Sequence, residues 1–493
     1  MKTNLQRAAA TLLACLLLLS SCGETVQTEN PDTKRTETTA ITEAPETDIL
    51  DSLGEIDYGG ADFRIICQHM ELRPNMPLEA ETGDLFWDSI YRRDRRIEEQ
   101  FGVKMVYSAD GNRGAVRDAV TRAVNAQEDA YDIVLTPMSD GFNVLVPAGM
   151  LYDLRTVDTL CLEEPWWNQS MNREMIIGGK QYAATGMVSV SYLYTPYYFL
   201  FNMNIASDYN ISSEQLYSAV REGSWTLEMM EMLQKDVYSD LDSNGKEDIT
   251  DQYGLMFDEG CGNAFYAGCG MLMVENDDGE IKINMNSEKS IEVLDRLNSM
   301  FSEGSHIRND TMELGNDSDG VPHYVSSFMK GRVLFNVSSP TAMVTYLRDM
   351  EDDYGMLPMP KLDEAQTDYF TIYNSWMPSG YGIPITATET GRIGVISEAM
   401  ARLDYTTVQP NFVEVTMKEK VARDENSKEM LDYIMNSLVI DLNMIFNFGN
   451  SSIELRKYAA GLTENFASKY EKLTKVITKD IDKLLEQYNS IDG

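Results

Sequence analysis

The chain has 493 residues, of which 43% are hydrophobic and 10% aromatic, so it is long enough for two lobes and is not disordered in composition. It carries 79 acidic and 41 basic residues, a formal net charge of −38. Such a field repels polyanions, and we therefore expect no nucleic-acid partner.

The amino terminus predicts an exported protein. A positively charged start precedes the apolar run Ala8–Leu19, which is too short to span a bilayer and is typical of a signal peptide. The run ends in Leu-Ser-Ser-Cys22-Gly, which resembles a bacterial lipobox. The resemblance implies a signal peptide over 1–21, lipidation of Cys22 and attachment to the outer face of the cytoplasmic membrane; the alternative is a plain signal peptide. Residues 22–57 are rich in Thr, Glu, Pro and Asp and predict a disordered tether.

The folded body begins with an alternating pattern of strands and helices. Buried-type strands are predicted over 62–67, 103–107 and 132–135, with helices over 84–101 and 114–126 between them. This spacing favours a parallel α/β sheet, in which ligands bind beyond the carboxyl ends of the strands. Gln68 and Asp140 follow two of these strands and are therefore candidate site residues.

Three ordered stretches carry a family resemblance. They are YDIVLTPMSDGFNVLVPAGMLYDL, then GGKQYAATG with the passage into LFNMN, and finally FMKGRVLFN with DYGMLPMPK. Together they resemble extracellular solute-binding proteins of ABC importers, in the maltose-binding-protein-like group. The resemblance implies an α/β fold of two lobes, each a mixed sheet flanked by helices, joined by crossing segments. The implied N-lobe is 58–190 plus 376–437, and the implied C-lobe is 191–375 plus 438–493.

The resemblance also implies a function without catalysis. A monomeric, lipid-anchored subunit would capture a carbohydrate, expected to be an oligosaccharide, between its lobes and deliver it to the transmembrane subunits of an ABC permease. The acidic charge disfavours anionic ligands but leaves sugars, peptides and cations open. Two other classes remain as alternatives: a surface glycan hydrolase or lyase, and an adhesion lipoprotein. No nucleophile elbow, P-loop or His-Glu-x-x-His motif supports an enzyme.

A sugar site needs aromatic platforms surrounded by polar side chains. We expect the platforms at the two crossings and at a tryptophan pair, and the polar groups at strand ends. The candidate ligand-binding residues are Asp140, Tyr192, Tyr194, Trp376, Asn336, Ser338, Gln68 and Trp166. Core packing is the alternative for each of them.

A single loop has the spacing of a calcium site. Its oxygen ligands stand at positions 1, 3, 5, 9 and 12, with Gly245 at position 6 for the sharp turn. The candidate metal-site residues are Asp240, Asp242, Asn244, Lys246, Asp248 and Asp251. One structural calcium ion is the only expected cofactor, and an acidic turn without metal is the alternative. Cys261 and Cys269 could form a disulfide or remain buried thiols.

Overall fold

The computed structural model describes residues 48–68, 75–112, 114–277, 279–302, 307–310, 315–347, 350–416 and 425–491. Ile49–Gly493 forms one compact unit. The predicted signal peptide, the predicted lipidation at Cys22 and most of the predicted tether lie outside the described residues. The packed chain begins before residue 57, because Leu50 is fully buried in a core cluster.

The first sheet contains five strands in the order β2-β1-β3-β13-β4. Its strands are β1 Ala61–Gln68, β2 Val103–Asp110, β3 Ile133–Thr136, β4 Ala184–Thr185 and β13 Gly380–Gly382. β1 runs parallel to β2 and β3, whereas β13 runs antiparallel to both β3 and β4. The parallel strand-helix arrangement predicted from the sequence is therefore confirmed.

The second sheet also has five strands, in the order β11-β5-β10-β6-β9. Its strands are β5 Tyr198–Asn202, β6 Tyr253–Asp258, β9 Ile307–Asp310, β10 Val333–Ser338 and β11 Tyr354–Leu357. β6, β9 and β10 are parallel, and β5 runs antiparallel between β10 and β11. Two small ribbons complete the strands: β7 Val274–Asp277 with β8 Glu280–Ile283, and β12 Thr371–Ile372 with β14 Leu438–Val439.

Helices surround both sheets. They are α1 Leu85–Phe101, α2 Ala115–Asn125, α3 Asn143–Leu145, α4 Gln169–Met175, α5 Met203–Asp208, α6 Ser213–Glu222, α7 Leu227–Gln234, α8 Cys261–Gly268, α9 Glu288–Ser302, α10 His323–Met329, α11 Pro340–Thr345, α12 Thr390–Leu403, α13 Gln409–Thr416, α14 Glu425–Asn436, α15 Leu442–Phe446, α16 Ser451–Ala459 and α17 Phe466–Ser490. None of the described helices is long and apolar enough to cross a membrane.

Helix α1 shows how the sequence sets an element's limits. The Asp84 side chain caps its first turn by accepting hydrogen bonds from the N–H groups of Phe86 and Trp87, and Gly102 ends it in the left-handed conformation. Phe86, Ile90, Ile97 and Phe101 are buried, as their spacing along one helical face predicts. The helix is therefore held against the first sheet by its apolar stripe.

Three chain segments lie side by side between the sheets. The first crossing (186–197) leads from β4 to β5, and the return crossing (373–379) leads from β12 to β13. Asn374 N–H donates to the Thr195 carbonyl at 2.9 Å, and Tyr373 N–H donates to the Val439 carbonyl at 2.7 Å, next to a third segment (438–441). The crossing segments that the resemblance implies therefore exist as connections between the two sheets.

Two helices depart from a simple assignment to one lobe. The prediction placed α14 in the N-lobe, yet Glu429 pairs with Arg221 on α6 and the Tyr433 ring packs against Tyr369, both on the second-sheet side. Helix α17 starts against α16, where Lys469 pairs with Glu454 at 2.9 Å. Its last turn reaches the first-sheet side, where the rings of Tyr488 and Tyr182 lie 5.2 Å apart.

Candidate ligand-binding cleft

The strand ends of both sheets point toward the crossings. In the first sheet, Gly380 pairs with both Thr136 and Thr185, so the return crossing enters and the first crossing leaves at the carboxyl edge of β3. In the second sheet, Ser338 pairs with Tyr198, so the first crossing arrives at the carboxyl edge of β10. The carboxyl edges of the two sheets therefore flank the crossings, which is where α/β folds bind ligands.

A buried asparagine joins the first sheet to both crossings. The Asn75 side-chain amide donates to the carbonyls of Gln68 at 3.1 Å and Pro378 at 2.6 Å, and its oxygen accepts from the Ser189 hydroxyl at 2.6 Å. The predicted site residue Gln68 ends β1 and is 5% exposed. Sequence reasoning missed Asn75 because nothing in its neighbourhood identifies partners so distant in the chain.

The predicted residue Asp140 lies in the turn Met138–Phe142 after β3. Its Oδ1 pairs with Nη1 of Arg117 at 3.2 Å, while its Oδ2 is buried and has no hydrogen-bond partner. Ser139, next to it, donates through both its N–H and its hydroxyl to the Ser375 carbonyl at 3.1 and 3.0 Å. The return crossing therefore holds this turn, and one oxygen of the Asp140 carboxylate has no hydrogen-bond partner within the protein.

Two predicted polar residues lie on β10. The Asn336 amide group donates to the carbonyls of Met256 and Tyr324, both at 3.0 Å, and its oxygen is buried without a partner. The Ser338 hydroxyl, at the strand's carboxyl end, is also buried without a partner, and the residue is only 3% exposed. Since buried polar atoms are normally hydrogen-bonded, these are acceptors that a ligand could satisfy.

The predicted aromatic platforms occupy different environments. Tyr192 and Tyr194 are 8% and 3% exposed: the Tyr192 hydroxyl accepts from Asn168 at 2.9 Å, and the Tyr194 ring meets Phe412 edge-on at 5.3 Å. Burial raises the pKa of Tyr192 to about 12. Both tyrosine rings of the first crossing are therefore packed inside the protein. Trp376, on the return crossing, is 40% exposed and is the candidate whose ring a ligand could reach.

Trp166 lies against helix α12. Its indole N–H donates to Glu398 at 2.8 Å, and the guanidinium of Arg402 lies 4.8 Å from its ring centre. The neighbouring Trp167 is 1% exposed and donates to the same carboxylate at 2.7 Å. These contacts account for both tryptophans through packing and hydrogen bonding.

The end of β6 supplies charged groups that the sequence interpretation did not select. Asp258 is half-buried, and its Oδ1 accepts from the Gly260 N–H at 2.6 Å. Burial raises the pKa of Asp258, and the N–H groups of Gly260 and Cys261 partly offset this effect. Glu259 pairs with Arg456 of α16 at 2.8 Å. Their position directly after a parallel strand was the available signal.

The predicted calcium loop brings three carboxylates together. Ligand oxygens of Asp240, Asp242 and Asp251 all lie within 4.8 Å of one another. Gly245 adopts φ +71°, the left-handed conformation expected at position 6. The side chain of Asn244 accepts from the Lys246 N–H and donates to Asp242 and Asp248, at 2.7, 2.8 and 3.1 Å. The donor set is all oxygen, as Ca²⁺ requires.

The two cysteines named above do not form a disulfide. Cys261 begins α8 and Cys269 follows its end, and both are buried free thiols. Burial raises the pKa of Cys269 to about 12, so this thiol is unreactive at neutral pH.

A cavity of about 960 Å³ lies between α4, α6 and α14, and its lining includes Leu438 and Val439 of β14. Arg221, in its lining, pairs with Glu214 at 3.1 Å and Glu429 at 2.8 Å. Buried Lys361 donates to the Gln366 carbonyl at 2.6 Å and lies 5.3 Å from the Tyr369 ring centre. Arg221 and Lys361 therefore have partners within the protein.

Comparison with known proteins identifies the fold. No family profile and no curated protein sequence matches this chain. Among solved structures, UspC of Mycobacterium tuberculosis has a TM-score of 0.54 at 11% identity, covering 85% of this chain and 100% of UspC. A solute-binding protein of a Thermotoga lettingae ABC transporter, bound with α-D-tagatose, has a TM-score of 0.52 at 12% identity, covering 86% and 100%.

A third similar structure is the ABC substrate-binding protein Lmo0181 of Listeria monocytogenes in complex with cycloalternan. Its TM-score is 0.50 at 12% identity, covering 87% of this chain and 99% of that protein. The chain therefore has the two-lobed α/β fold of ABC solute-binding proteins, as the sequence resemblance implied. At these identities the likeness concerns the fold alone.

Proposed function

We propose that this chain is the substrate-binding subunit of an ABC importer, and that it captures a carbohydrate between its lobes for a membrane permease. The observation that carries the proposal is the set of partnerless buried acceptors at the carboxyl edges of both sheets: Asp140 Oδ2 in one, Asn336 Oδ1 and Ser338 Oγ in the other. Two proteins of the same fold have a sugar bound, cycloalternan in one and tagatose in the other.

The available groups suit a polyhydroxyl ligand. Sugar hydroxyls can donate to the carboxylate, amide and hydroxyl oxygens, and the exposed face of Trp376 can stack on an apolar sugar face. An oligosaccharide would extend from this aromatic ring toward both sheets. We favour a binding protein over a hydrolase because the two sugar-bound proteins of the same fold are substrate-binding proteins of ABC transporters.

Calorimetry against neutral mono- and oligosaccharides tests the capture function, with thermal unfolding as a second readout. We expect at least one sugar to bind and to raise the melting temperature. Ser338→Ala should weaken that binding about 2- to 10-fold, because one hydrogen bond is worth about 0.5–1.5 kcal/mol. Ser218→Ala, on the exposed face of α6, is the matched control. If no sugar shifts the melting temperature, the capture function is wrong.

The lipobox-like segment supports an anchored protein. We infer that Cys22 is lipidated after export and holds a monomeric body at the outer face of the cytoplasmic membrane, close to the permease. Cys22→Ala should release the protein from the membrane fraction of the expressing cell, as detected by immunoblot. Retention of the variant in that fraction would contradict lipid anchoring.

We further propose that the loop 240–251 binds one structural calcium ion. The clustered oxygens of Asp240, Asp242 and Asp251 support this, together with the turn at Gly245. Asp248 and the main chain of Lys246 stand at the remaining ligand positions of the motif, and the Asn244 oxygen would have to turn from the Lys246 N–H toward the ion.

A further inference from the structure

A carboxylate and a hydroxyl stand side by side at the carboxyl edge of the second sheet. β10 and β6 are parallel neighbours in which Asn336 is aligned with Met256, so two residues later Ser338 is aligned with Asp258. Because strand side chains alternate between faces, the two side chains share one face. The Ser338 hydroxyl is buried and without a partner, which indicates that this position is built for a group that the protein itself does not supply.

The charges around Asp258 do not balance. Arg456 is the cation beside Asp258 and Glu259, and its Nη2 lies 2.8 Å from Glu259. No ion pair to Asp258 occurs in the part of the chain that the structure describes. One guanidinium thus serves two carboxylates, and one negative charge remains at the end of β6.

The opposite edge of the cleft repeats this imbalance. Arg117 pairs with Asp118 at 2.9 Å and with Asp140 at 3.2 Å, so one guanidinium again serves two carboxylates. The Oδ2 atom of Asp140 is buried without a hydrogen bond. Each lobe therefore presents an unbalanced carboxylate beside the crossings, in a protein whose net charge is already −38.

We propose that Asp258, with Ser338, binds an ammonium group of the ligand, and that the ligand is an amine-bearing saccharide. The proposal rests on the saccharide-capture function above. An ammonium group has three donors and one positive charge, so it satisfies the Ser338 hydroxyl and the Asp258 carboxylate together and removes the excess charge. A neutral sugar hydroxyl can satisfy the hydrogen bonds but leaves the charge. The site therefore distinguishes an amine-bearing sugar from a neutral sugar by charge.

The test compares three series of ligands that are matched in length and linkage. Glucosamine and its β-1,4 oligomers up to six units are titrated by calorimetry against the N-acetylated series and the glucose series. We expect the amine series to bind at least 10-fold more tightly than either neutral series, and this preference to shrink as salt screens the charges. Equal or tighter binding of a neutral series would overturn the amine inference and leave sugar capture standing. Failure of all three series to bind would overturn the amine inference, and the wider sugar panel would then decide sugar capture separately.

Two variants assign the effect to residues. Asp258→Asn should weaken binding of the amine series at least 10-fold more than binding of the neutral series, so that the preference for the amine disappears. Asp236→Asn removes the same charge from an exposed position after α7, and this control variant should retain the preference for the amine series. Ser338→Ala keeps the carboxylate and should weaken binding of the amine series several-fold. This variant provides the test if Asp258→Asn does not fold. An unchanged preference in Asp258→Asn would contradict the proposal, and if that variant does not fold, an unchanged affinity of Ser338→Ala for the amine series would contradict it.

Discussion

A single arginine links two acidic residues in the core on the first-sheet side. Arg93 on α1 contacts Asp94 through Nε at 2.7 Å and Asp404 through Nη1 at 2.5 Å, and all three side chains are almost fully buried. Burial raises the pKa of Asp404 to about 7, although Arg93 opposes the shift, and burial also raises that of Asp94. One cation cannot neutralise two buried carboxylates, so Asp404 loses its proton only as the pH approaches neutrality.

Residues of this kind make stability fall as pH rises. A carboxyl whose pKa is higher in the folded than in the unfolded protein stabilises the fold below its unfolded pKa, and the contribution is lost as pH rises through the folded value. For Asp404, a change from 3.8 to about 7 corresponds to a contribution on the order of 4 kcal/mol. Burial likewise raises the pKa of Glu174 and Asp441 to about 7, so all three act in the same direction.

We therefore expect the unfolding free energy to decrease between pH 5 and pH 8 in urea titrations. Asp404→Asn should reduce this slope, because the amide cannot lose a proton. Asp317→Asn is the control: hydrogen bonds from Ser326 and neighbouring N–H groups lower the pKa of Asp317, so its effect appears only in acid. A wild-type curve that is flat or rises over this range would show that these acids are ionised in the folded protein.

At the scale of elements, the loop between α7 and β6 is the clearest self-contained unit. Asp251 is fully buried beneath it and accepts hydrogen bonds from the Tyr238 hydroxyl at 3.2 Å and the Leu241 N–H at 3.3 Å. Ligand oxygens of Asp240 and Asp242 lie within 4.8 Å of those of Asp251. Three carboxylates this close repel one another, and a divalent cation would remove the repulsion.

Calcium should consequently stabilise the protein. In 2 mM CaCl₂ we expect a higher melting temperature than in EDTA, and a free ion at 100 times its dissociation constant would contribute about 2.7 kcal/mol. Asp242→Asn should reduce the calcium-dependent increase, whereas Asp236→Asn, just outside the loop, should not. Identical melting curves in calcium and EDTA for the wild-type protein would leave the loop as an acidic turn.

Elements with local signals were predictable, and contacts between distant elements were not. The stripe from Phe86 to Phe101 and the cap at Asp84 identify α1 from neighbouring residues alone. Tyr194 and Trp376 looked equivalent in sequence, yet Phe412 of α13 covers the tyrosine and leaves the tryptophan exposed. The difference depends on which helix packs against which crossing, information that the residues around either aromatic do not contain.

At the scale of the whole molecule, any movement of one sheet relative to the other must change the backbone conformation of the crossings that connect them. A ligand shifts such an equilibrium only by the contacts that it gains in the closed form. The partnerless acceptors lie on both sides, Asp140 on one and Ser338 on the other, so a sugar that reaches both favours closure. Ligand binding and compaction should therefore occur together.

X-ray scattering on the anchor-free protein can measure this compaction. A compact body of this size has a radius of gyration of about 22 Å, and we expect a measurable decrease when a sugar identified by calorimetry is added. At saturating ligand, Ser338→Ala should show a smaller decrease than wild type, because the sugar keeps its contacts to Asp140 and Trp376 but loses one across the cleft. Ser218→Ala should behave like wild type. An unchanged radius with saturating ligand would mean that the lobes are already closed or that the ligand binds to one of them alone.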